Sequence, residues 1–298
     1  MDLIPYDSSL AEPLTQVYNA AIAEVPHCYP VTAATFDTAL IQTHERLENQ
    51  QIQVATDSNS VRGFIHYARQ SANKDHPQER GIIRFLYFQP GYRRVGKALL
   101  DTAEAYFHQC GLSTVRAFPA SYRYPFYCFN HSFLSDHLGH IAALLGYDGY
   151  NKTRGEVFLD GINYEPVQPL AIDLSFDIKL EWKDGPGKRQ DLSLYAYQGS
   201  KELGQCHSIS CARFASAPKL EDWHFCDGLD AAEEVQGRGL GRHLLERARL
   251  ELHKVGYRHA GISTAWQNYR AFQFYSNYGY SVADWTYEWG KDLGQTPS

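Results

Sequence analysis

The stretch Ala231–Ala248, AAEEVQGRGLGRHLLERA, sets three glycines two residues apart between acidic residues and a leucine-rich segment. Apolar residues recur at helical spacing across 241–256, so we predict a helix there with a glycine-rich turn before it. The preceding segment 222–231, DWHFCDGLDA, is predicted to be a strand. A strand, a glycine-rich turn and a helix N-terminus together form an anion site, because unpaired amides and the positive end of the helix dipole face the ligand.

Three common phosphate-binding motifs do not fit this turn. The dinucleotide fingerprint Gly-x-Gly-x-x-Gly would need a third glycine where Arg242 stands. The P-loop needs Gly-Lys-Ser/Thr, but Gly241 is followed by Arg242 and His243. A kinase glycine loop leads into a strand, whereas this turn leads into a helix. The turn therefore needs another explanation.

Residues 236–241, QGRGLG, match [Gln/Arg]-x-x-Gly-x-[Gly/Ala], and here the chain resembles the GNAT acyltransferases. In that family a later helix carries Asn-x-x-Ala-x-x-x-Tyr, which 268–275 supply, and a Gly-aromatic pair follows, which 279–280 supply. The match covers Trp223 to about Trp289 and, more loosely, both halves of the chain. The whole chain therefore resembles a tandem-GNAT protein.

The two halves also resemble each other. The segment 96–111 aligns almost residue for residue with 241–256, which indicates a duplication at domain scale. With the resemblance, this implies an α/β (α+β) fold of two tandem GNAT-type domains, each a mixed, mostly antiparallel sheet flanked by helices. We predict an N-terminal GNAT-like domain over 1–162 and a C-terminal GNAT domain over 163–298. The boundary is placed in the proline-containing segment 161–173.

Hydrophobic periodicity and turn residues predict the remaining elements. In the first half the predicted strands are 3–6, 51–56, 61–70, 81–88 and 113–119, and the predicted helices are 9–24, 30–47 and 96–111. In the second half the predicted strands are 191–198 and 203–214 (a hairpin), 222–231, 258–264 and 280–289, and the predicted helices are 241–256 and 268–279.

The resemblance implies a role for each site residue. Loop amides would bind the pyrophosphate of acetyl-CoA; they belong to Gln236, Gly237, Arg238, Gly239, Leu240, Gly241 and Arg242. Main-chain groups of Leu229 and Ala231 would pair with the pantetheine arm, and Asn268 would contact the cofactor. Tyr275 would act as the general acid that protonates the leaving thiolate. Asp227 is our candidate for the base that accepts the proton of the amine.

The expected function is therefore acetyl-CoA-dependent transfer of an acetyl group to a primary amine, catalysed in the C-terminal half. The alternative is a catalytically inactive module that binds CoA or another ligand. The acceptor is expected to be a small-molecule or peptide amine, which the fold does not specify further. Both a monomer and a homodimer remain open.

The first half lacks several features of this site. Its segment GYRRVGKALL, 91–100, is two residues shorter than its counterpart and has one glycine in place of three when Gly96 is aligned with Gly241. An alternative register, Arg93-x-x-Gly96-x-Ala98, satisfies the loop motif but breaks the match of the helices. Ala142 stands where the acid tyrosine should be, and Arg84 lies near the place of Asp227. We expect this half to be degenerate as a catalyst and to support the second half or shape the acceptor site.

One cluster in the first half has metal-ligand chemistry. Cys128, His131, His137 and His140 run C-x-x-H-x5-H-x-x-H, a spacing that matches no standard zinc finger. We predict no metal site, and zinc binding by these four residues stays open as the alternative. The other cysteines do not have the dense spacing of a disulfide-rich secreted scaffold.

Composition excludes further classes. The net charge is -6 at pH 7 and no block of Lys and Arg occurs, so a nucleic-acid partner is not expected. Residues 1–10 lack the basic and apolar regions of a signal peptide. No apolar run approaches the roughly 18 residues of a membrane span, so we expect no membrane partner and a cytoplasmic protein.

Overall fold

The computed structural model describes residues 1–58, 60–72, 74, 77–215 and 217–294. These residues form two compact units. Unit 1 comprises Met1–Glu156 and the C-terminal segment from Asp284, and unit 2 comprises Val157–Ala283. The domain boundary predicted after Ile162 stays a prediction. No helix within the described residues is both long enough and apolar enough to cross a lipid bilayer.

Unit 1 contains a mostly antiparallel sheet with helices. Its strands are β1 (Asp2–Pro5), β2 (Leu47–Asp57), β3 (Ser60–Gln70), β4 (Arg80–Phe88), β5 (Thr114–Ala117), β6 (Leu134–Ser135), the first part of β7 (Asn151–Gly161) and most of β13 (Ser281–Asp292). Its helices are α1 (Ala11–Ala21), α2 (Ala33–Ile41), α3 (Arg93–Gln109) and α4 (Gly139–Tyr147). The strand order is β1-β2-β3-β4-β5-β13-β7, and β6 also pairs with β13. The strands β4 and β5 pair in parallel, whereas the pairs β1–β2, β2–β3, β3–β4, β5–β13 and β6–β13 are antiparallel.

Unit 2 repeats this plan with fewer helices. Its strands are the second part of β7, then β8 (Asp177–Lys183), β9 (Asp191–Gln198), β10 (Lys201–Ser210), β11 (Trp223–Ala231) and β12 (His259–Ala265). Its helices are α5 (Leu240–Lys254) and α6 (Tyr269–Asn277). The strand order is β7-β12-β11-β10-β9-β8. The strands β11 and β12 are parallel, and the pairs β8–β9, β9–β10 and β10–β11 are antiparallel. The predicted fold class is confirmed, and so is the predicted hairpin, which is formed by β9 and β10.

The long helices α3 and α5 cover their sheets with the apolar faces that the sequence predicts. Leu99, Ala103 and Phe107 of α3 are buried, and α3 packs on β3 and β4. Leu244 and Ala248 of α5 are buried in the same way, and α5 packs on β9, β10 and β11. Burial at positions four residues apart turns one apolar face of each helix toward its sheet.

One predicted helix is much shorter in the structure, and several elements were not predicted. The helix predicted over 30–47 ends at Ile41, because Gln42 adopts an extended backbone with φ −61° and ψ 122°. Leu47 instead starts β2, where it is buried opposite Gln70. The helix α4 and the strands β6, β7 and β8 had no counterpart in the prediction. The strand β8 nevertheless alternates charged residues with Ile178, Leu180 and Trp182, a period-2 pattern that could have predicted it.

Each unit has an irregularity in the strand that precedes its long helix. In unit 1 the β3–β4 ladder pairs His66 with Phe85 and then Tyr67 with Ile83, so the ladder skips Arg84. Two residues then oppose one, which is the arrangement of a β-bulge.

In unit 2 the irregularity occurs at the corresponding place. The β10–β11 ladder pairs His207 with Gly228 and then Ser208 with Cys226, so it skips Asp227. Arg84 and Asp227 therefore occupy equivalent bulge positions in the two units, as the alignment of the halves indicates.

A candidate acyl-donor groove in unit 2

The strand β11 has one paired edge and one open edge near its end. On one side its residues Leu229 and Ala231 pair with Cys206 and Gly204 of β10. On the other side the parallel pairing with β12 runs only from Trp223 to Cys226 in the described part of the chain. Beyond Cys226, β11 therefore presents main-chain groups to which an extended ligand can hydrogen-bond as an added strand does.

The turn after β11 requires its glycines. Gly237 has φ +78° and Gly239 has φ +89°, a left-handed region that costs other residues about 1 kcal/mol or more. Gly239 is the N-cap residue of α5, and no side chain caps the helix there. The amides of Leu240, Gly241 and Arg242 consequently lack intrahelical acceptors, and they carry the positive end of the helix dipole.

The turn also has room for a ligand. A Cβ atom built at Gly237 or Gly241 would meet no atom within 4 Å, whereas one at Gly239 would lie 3.1 Å from Ile172. The open space lies in front of the free amides of α5. An anion can therefore approach the main chain closely at Gly241, which is the condition for phosphate binding at a helix N-terminus.

These features border one groove of about 660 Å³. Its walls are the end of β11, the glycine turn, the start of α5 and one face of α6. The lining residues are Leu229, Asp230, Ala231, Val235, Gln236, Gly237, Gly239, Leu240, Gly241, Arg242, Asn268, Arg270, Ala271, Phe274, Tyr275 and Tyr278. All of them belong to unit 2.

The groove brings together most of the residues assigned to the site from the sequence. Of the proposed cofactor-binding residues, only Arg238 does not line it. The Arg238 guanidinium instead donates a hydrogen bond to the main-chain oxygen of Asp173, and the Arg238 amide donates to Val235. The roles of these residues stay predictions.

Asp227 lies outside the lining of the groove. Its side chain is exposed, and it occupies the bulge of β11. The bulge interrupts the simple alternation of faces that placed Asp227 on the same face as Leu229. Asp230, three residues later, is the acidic residue that lines the groove. The role of Asp227 as the base stays a prediction.

Tyr275 lies on the groove wall and is only 6% exposed. Its ring packs edge-on against Phe274 and Tyr280, with centroid distances of 5.2 and 5.8 Å. Burial raises the pKa of Tyr275 well above its usual value, and the neighbouring Cys226 raises it further. The phenol therefore keeps its proton at neutral pH and faces the groove as a hydrogen-bond donor.

Asn268 has a structural role in addition to its place in the groove. Its side chain caps α6 by accepting a hydrogen bond of 3.2 Å from the Ala271 amide. The capping hydrogen bond holds this side chain in one orientation at the edge of the groove. The Asn-x-x-Ala spacing is thus explained by helix capping as well as by ligand contact.

Sequence reasoning missed Arg270 and Phe274 of α6 and the C-cap residue Tyr278, which also line the groove. Helical periodicity could have found them, because Tyr278 follows Tyr275 by three residues, and Phe274 and Arg270 then precede Tyr278 at steps of four. Arg270 donates a 2.9 Å hydrogen bond to the Gln236 side chain, which itself donates to the Ala231 oxygen at 3.1 Å. Arg242 lies 5.0 Å over the Tyr278 ring and pairs with Glu246 at 2.6 Å. Two guanidinium groups therefore border the groove.

The cysteine and histidines of unit 1 do not assemble into one site. Cys128 contacts Cys28 with 2.9 Å between the sulfur atoms, whereas His140 hydrogen-bonds the Phe88 oxygen at 2.9 Å. His131 contacts the Asn130 side chain at 3.3 Å. No group of three or more His, Cys, Asp or Glu side chains in the described ranges is arranged to hold a metal ion.

Comparison with known proteins adds evidence on the fold. Neither a protein-family profile nor a curated protein sequence matches the chain. Among solved structures, a tandem GNAT protein from the clavulanic acid biosynthesis pathway is similar with a TM-score of 0.66 and 13% identity, covering 99% of each chain.

Two further structures agree with it. A GCN5-related glucosamine N-acetyltransferase region of a fungal multi-domain β-N-acetylglucosaminidase has a TM-score of 0.66 and 16% identity over 97% of this chain and 38% of that one. A GCN5-related N-acetyltransferase from Sphaerobacter thermophilus has a TM-score of 0.62 and 12% identity over 98% and 95%. At these identities the likeness concerns the fold. The chain has the fold of the GNAT acetyltransferases, and the likeness to a tandem GNAT protein extends along its whole length.

Proposed function

We propose that the chain is an acetyl-CoA-dependent N-acetyltransferase that acetylates a primary amine in the groove of unit 2. The observation that carries the proposal is the convergence of three features on one groove: the free amides at the start of α5, the open edge of β11 and the buried Tyr275. Acyl transfer from acetyl-CoA needs a site for the diphosphate, an edge that holds the extended arm with the thioester, and a proton donor for the leaving sulfur. The three features are candidates for these three tasks. The fold alone leaves the acceptor open.

The glycine turn and α5 would hold the diphosphate of the donor. The free amides of Leu240, Gly241 and Arg242 point the positive end of the helix toward the open space at Gly241. Arg242 and Arg270 add positive charge to the lining of the groove. These groups suit a ligand with several negative charges.

The end of β11 would position the thioester. Main-chain groups of Leu229 and Ala231 are the candidates for hydrogen bonds to the extended pantetheine arm. A main-chain amide on this open edge would also stabilise the negative charge that develops on the thioester oxygen as the amine attacks. Acetyl-CoA supplies the activated acetyl group.

Tyr275 would stabilise the departing sulfur. Because its raised pKa keeps the phenol protonated, Tyr275 can donate a hydrogen bond to the thiolate as the C–S bond breaks. The amine must lose a proton for the amide to form, and Asp227 is our proposed acceptor of that proton. The thiolate would take its proton from the Tyr275 hydroxyl, which would be reprotonated from water, while Asp227 would release the amine proton to water.

The test is to measure binding and turnover separately. Calorimetry with acetyl-CoA should detect binding to the full chain, and thiol release with a panel of amines should detect turnover. Tyr275→Phe should lower kcat by at least about 10-fold while leaving the Kd for acetyl-CoA unchanged, because the hydroxyl acts on the leaving group. An absence of acetyl-CoA binding would overturn the proposal. Unchanged turnover in Tyr275→Phe would remove the acid role but leave the donor site standing.

A non-catalytic CoA-binding module is the second candidate. The exposed position of Asp227 outside the groove lining favours it, because a base must reach the acceptor amine. This candidate predicts acetyl-CoA binding without thiol release for every amine of the panel. The same two measurements therefore separate the two functions.

A further inference from the structure

A second cavity, in unit 1, is lined by arginines. It encloses about 500 Å³, and Arg46, Arg80, Arg116 and Arg154 all border it. Its lining residues all belong to unit 1, and none of them lines the groove of unit 2. Four guanidinium groups around one cavity need an explanation in a chain whose net charge is -6.

The sheet of unit 1 places two of these arginines on one face. Arg80 begins β4, and Ile82 two residues later pairs with Arg116 of the parallel strand β5. Because residues two apart on a strand point to the same face, Arg80 and Arg116 share that face. Arg116 also pairs with Gly290 of β13, where a Cβ atom would collide with the Arg116 guanidinium. The bare Gly290 therefore lets the Arg116 guanidinium lie across β13.

Neighbouring polar groups hold these guanidinium groups in place. Arg80 donates a 2.8 Å hydrogen bond from Nε to the side-chain oxygen of Gln70, which is buried. Arg116 Nε lies 3.7 Å from the Glu288 carboxylate, which also accepts a 3.0 Å hydrogen bond from the Thr153 hydroxyl. The charged groups are thus positioned before any ligand binds, which reduces the entropy cost of binding.

The positive charges are close enough to affect one another. Burial lowers the pKa of Arg80, Glu288 opposes this, and the charges of Arg116 and Arg154 lower it further. A ligand that brings negative charge between the arginines would relieve this repulsion. Such electrostatic relief is larger in a recessed cavity than on an open surface.

The balance of charge indicates the kind of anion. Four arginines face two carboxylates in the lining, Glu45 and Glu288, which leaves two positive charges. A phosphate monoester carries about −1.5 to −2 at pH 7, and its oxygens fit the planar guanidinium fork. His44 and Tyr122 also line the cavity, and their rings, which meet edge-on at 4.8 Å, can contact an organic group. We propose that this cavity binds the phosphate monoester of a small polar molecule.

The test uses the full chain and calorimetry with glycerol 3-phosphate, glucose 6-phosphate and AMP. Glycerol, glucose, adenosine, inorganic phosphate and malate serve as comparison ligands. At least one monoester should bind at least about 10-fold more tightly than inorganic phosphate and malate, because only the monoesters combine a phosphate group with an organic group. Inorganic phosphate lacks the organic group, and malate lacks the phosphate. If no monoester exceeds inorganic phosphate, or if malate binds equally well, the proposal is overturned.

Variants then locate the binding. Arg80→Gln should weaken monoester binding by at least about 10-fold, the loss expected for a charge-assisted hydrogen bond. Arg94→Gln is the matched control: it removes one positive charge from an exposed position of unit 1 outside this cavity, and it should change the Kd by less than about 2-fold. Equal losses in both variants would mean unspecific attraction and overturn the proposal.

Two further variants cover the remaining outcomes. Glu288→Gln keeps the size of the side chain and removes a competing carboxylate, so it should tighten monoester binding even if Arg80→Gln proves unstable. Gly241→Asp blocks the start of α5 in unit 2 and should leave monoester binding unchanged. Loss of monoester binding in Gly241→Asp would place the ligand in the groove of unit 2 and overturn the proposal, whether or not that groove binds acetyl-CoA.

Discussion

The two units differ most at the junction between a strand and its long helix. In unit 1, β4 and α3 are joined by residues 89–92, whereas in unit 2, β11 and α5 are joined by the longer segment 232–239. Each junction follows a strand that contains a bulge, β4 in unit 1 and β11 in unit 2. Each of these strands pairs with a parallel neighbour, β5 or β12, and that pairing ends at the residue before the bulge. The framework of a donor site is therefore present twice, and the turn that would hold a diphosphate is present once.

Equivalent glycines illustrate the difference. Gly96 of α3 faces the Phe88 ring so closely that a Cβ atom would collide with it, whereas Gly241 of α5 faces open space. The helix α3 begins three residues before Gly96, while α5 begins one residue before Gly241. Helix thus replaces part of the turn in unit 1, where the sequence predicts a helix that begins only at Gly96. The glycine at this place therefore packs against a ring in one half and borders open space in the other.

The largest expected effect is that of a substitution at Gly241, which would remove the open space that distinguishes unit 2 from unit 1. Gly241→Asp should raise the Kd for acetyl-CoA by at least about 100-fold, because a carboxylate would occupy the place of the diphosphate and repel it. The substitution should not destabilise the fold, since the site is open and an acidic residue in the first turn of a helix is favourable. Calorimetry and thermal unfolding measure the two effects. Undiminished acetyl-CoA binding would show that the α5 turn is not the donor site.

The sequence predicts the turn and the helix of unit 2 because both depend on local rules. The left-handed backbone at Gly237 and Gly239 favours glycine, and the buried face of α5 needs apolar residues at helical spacing. Both requirements are visible in the sequence. The resemblance carried by 236–241 and 268–275 then predicts the fold class, and most of the predicted site residues line one groove. Local chemistry and a spaced motif suffice for this part.

Features that depend on tertiary pairing were not predictable in this way. The bulge that exposes Asp227 appears only when β10 and β11 are brought into register. The Arg238 side chain turns to Asp173, a residue far away in sequence, although its place in the motif indicates the groove. Likewise, the arginine-lined cavity of unit 1 brings together residues of β4, β5, β7 and β13. These strands are too far apart in the sequence for a local pattern to connect them. Each of these depends on distant segments that meet only in the folded chain.

The second prediction sharpens the contrast between the two bulges. Arg84 is buried and donates hydrogen bonds to the Tyr122 oxygen and the Gln50 side chain, each of 2.9 Å, whereas Asp227 is exposed. Arg84→Ala should therefore lower the free energy of unfolding by about 2–4 kcal/mol, since it removes two hydrogen bonds and leaves a cavity. Asp227→Ala should change it by less than about 0.5 kcal/mol.

Urea unfolding of the full chain measures both variants. The same two proteins also test the donor site: neither substitution alters the glycine turn, so neither should change the Kd for acetyl-CoA. Equal stability losses in Arg84→Ala and Asp227→Ala would mean that the two bulge positions are not used differently. A fall in turnover confined to Asp227→Ala would support its role as the base.

The smallest expected effect concerns Gly96. In Gly96→Ala the new methyl group would overlap the ring of the buried Phe88, and such overpacking costs about 1–3 kcal/mol. Replacing glycine by alanine within a helix returns about 1 kcal/mol, so a net loss of about 1 kcal/mol is expected. The matched control is Gly139→Ala at the start of α4, where a Cβ atom meets nothing within 4 Å and the change should be neutral or stabilising. Acetyl-CoA binding should be unchanged in both variants, because Gly96 and Gly139 belong to unit 1. If Gly96→Ala is as stable as Gly139→Ala, Phe88 yields to the methyl group, and packing does not explain why a glycine stands at this place in α3.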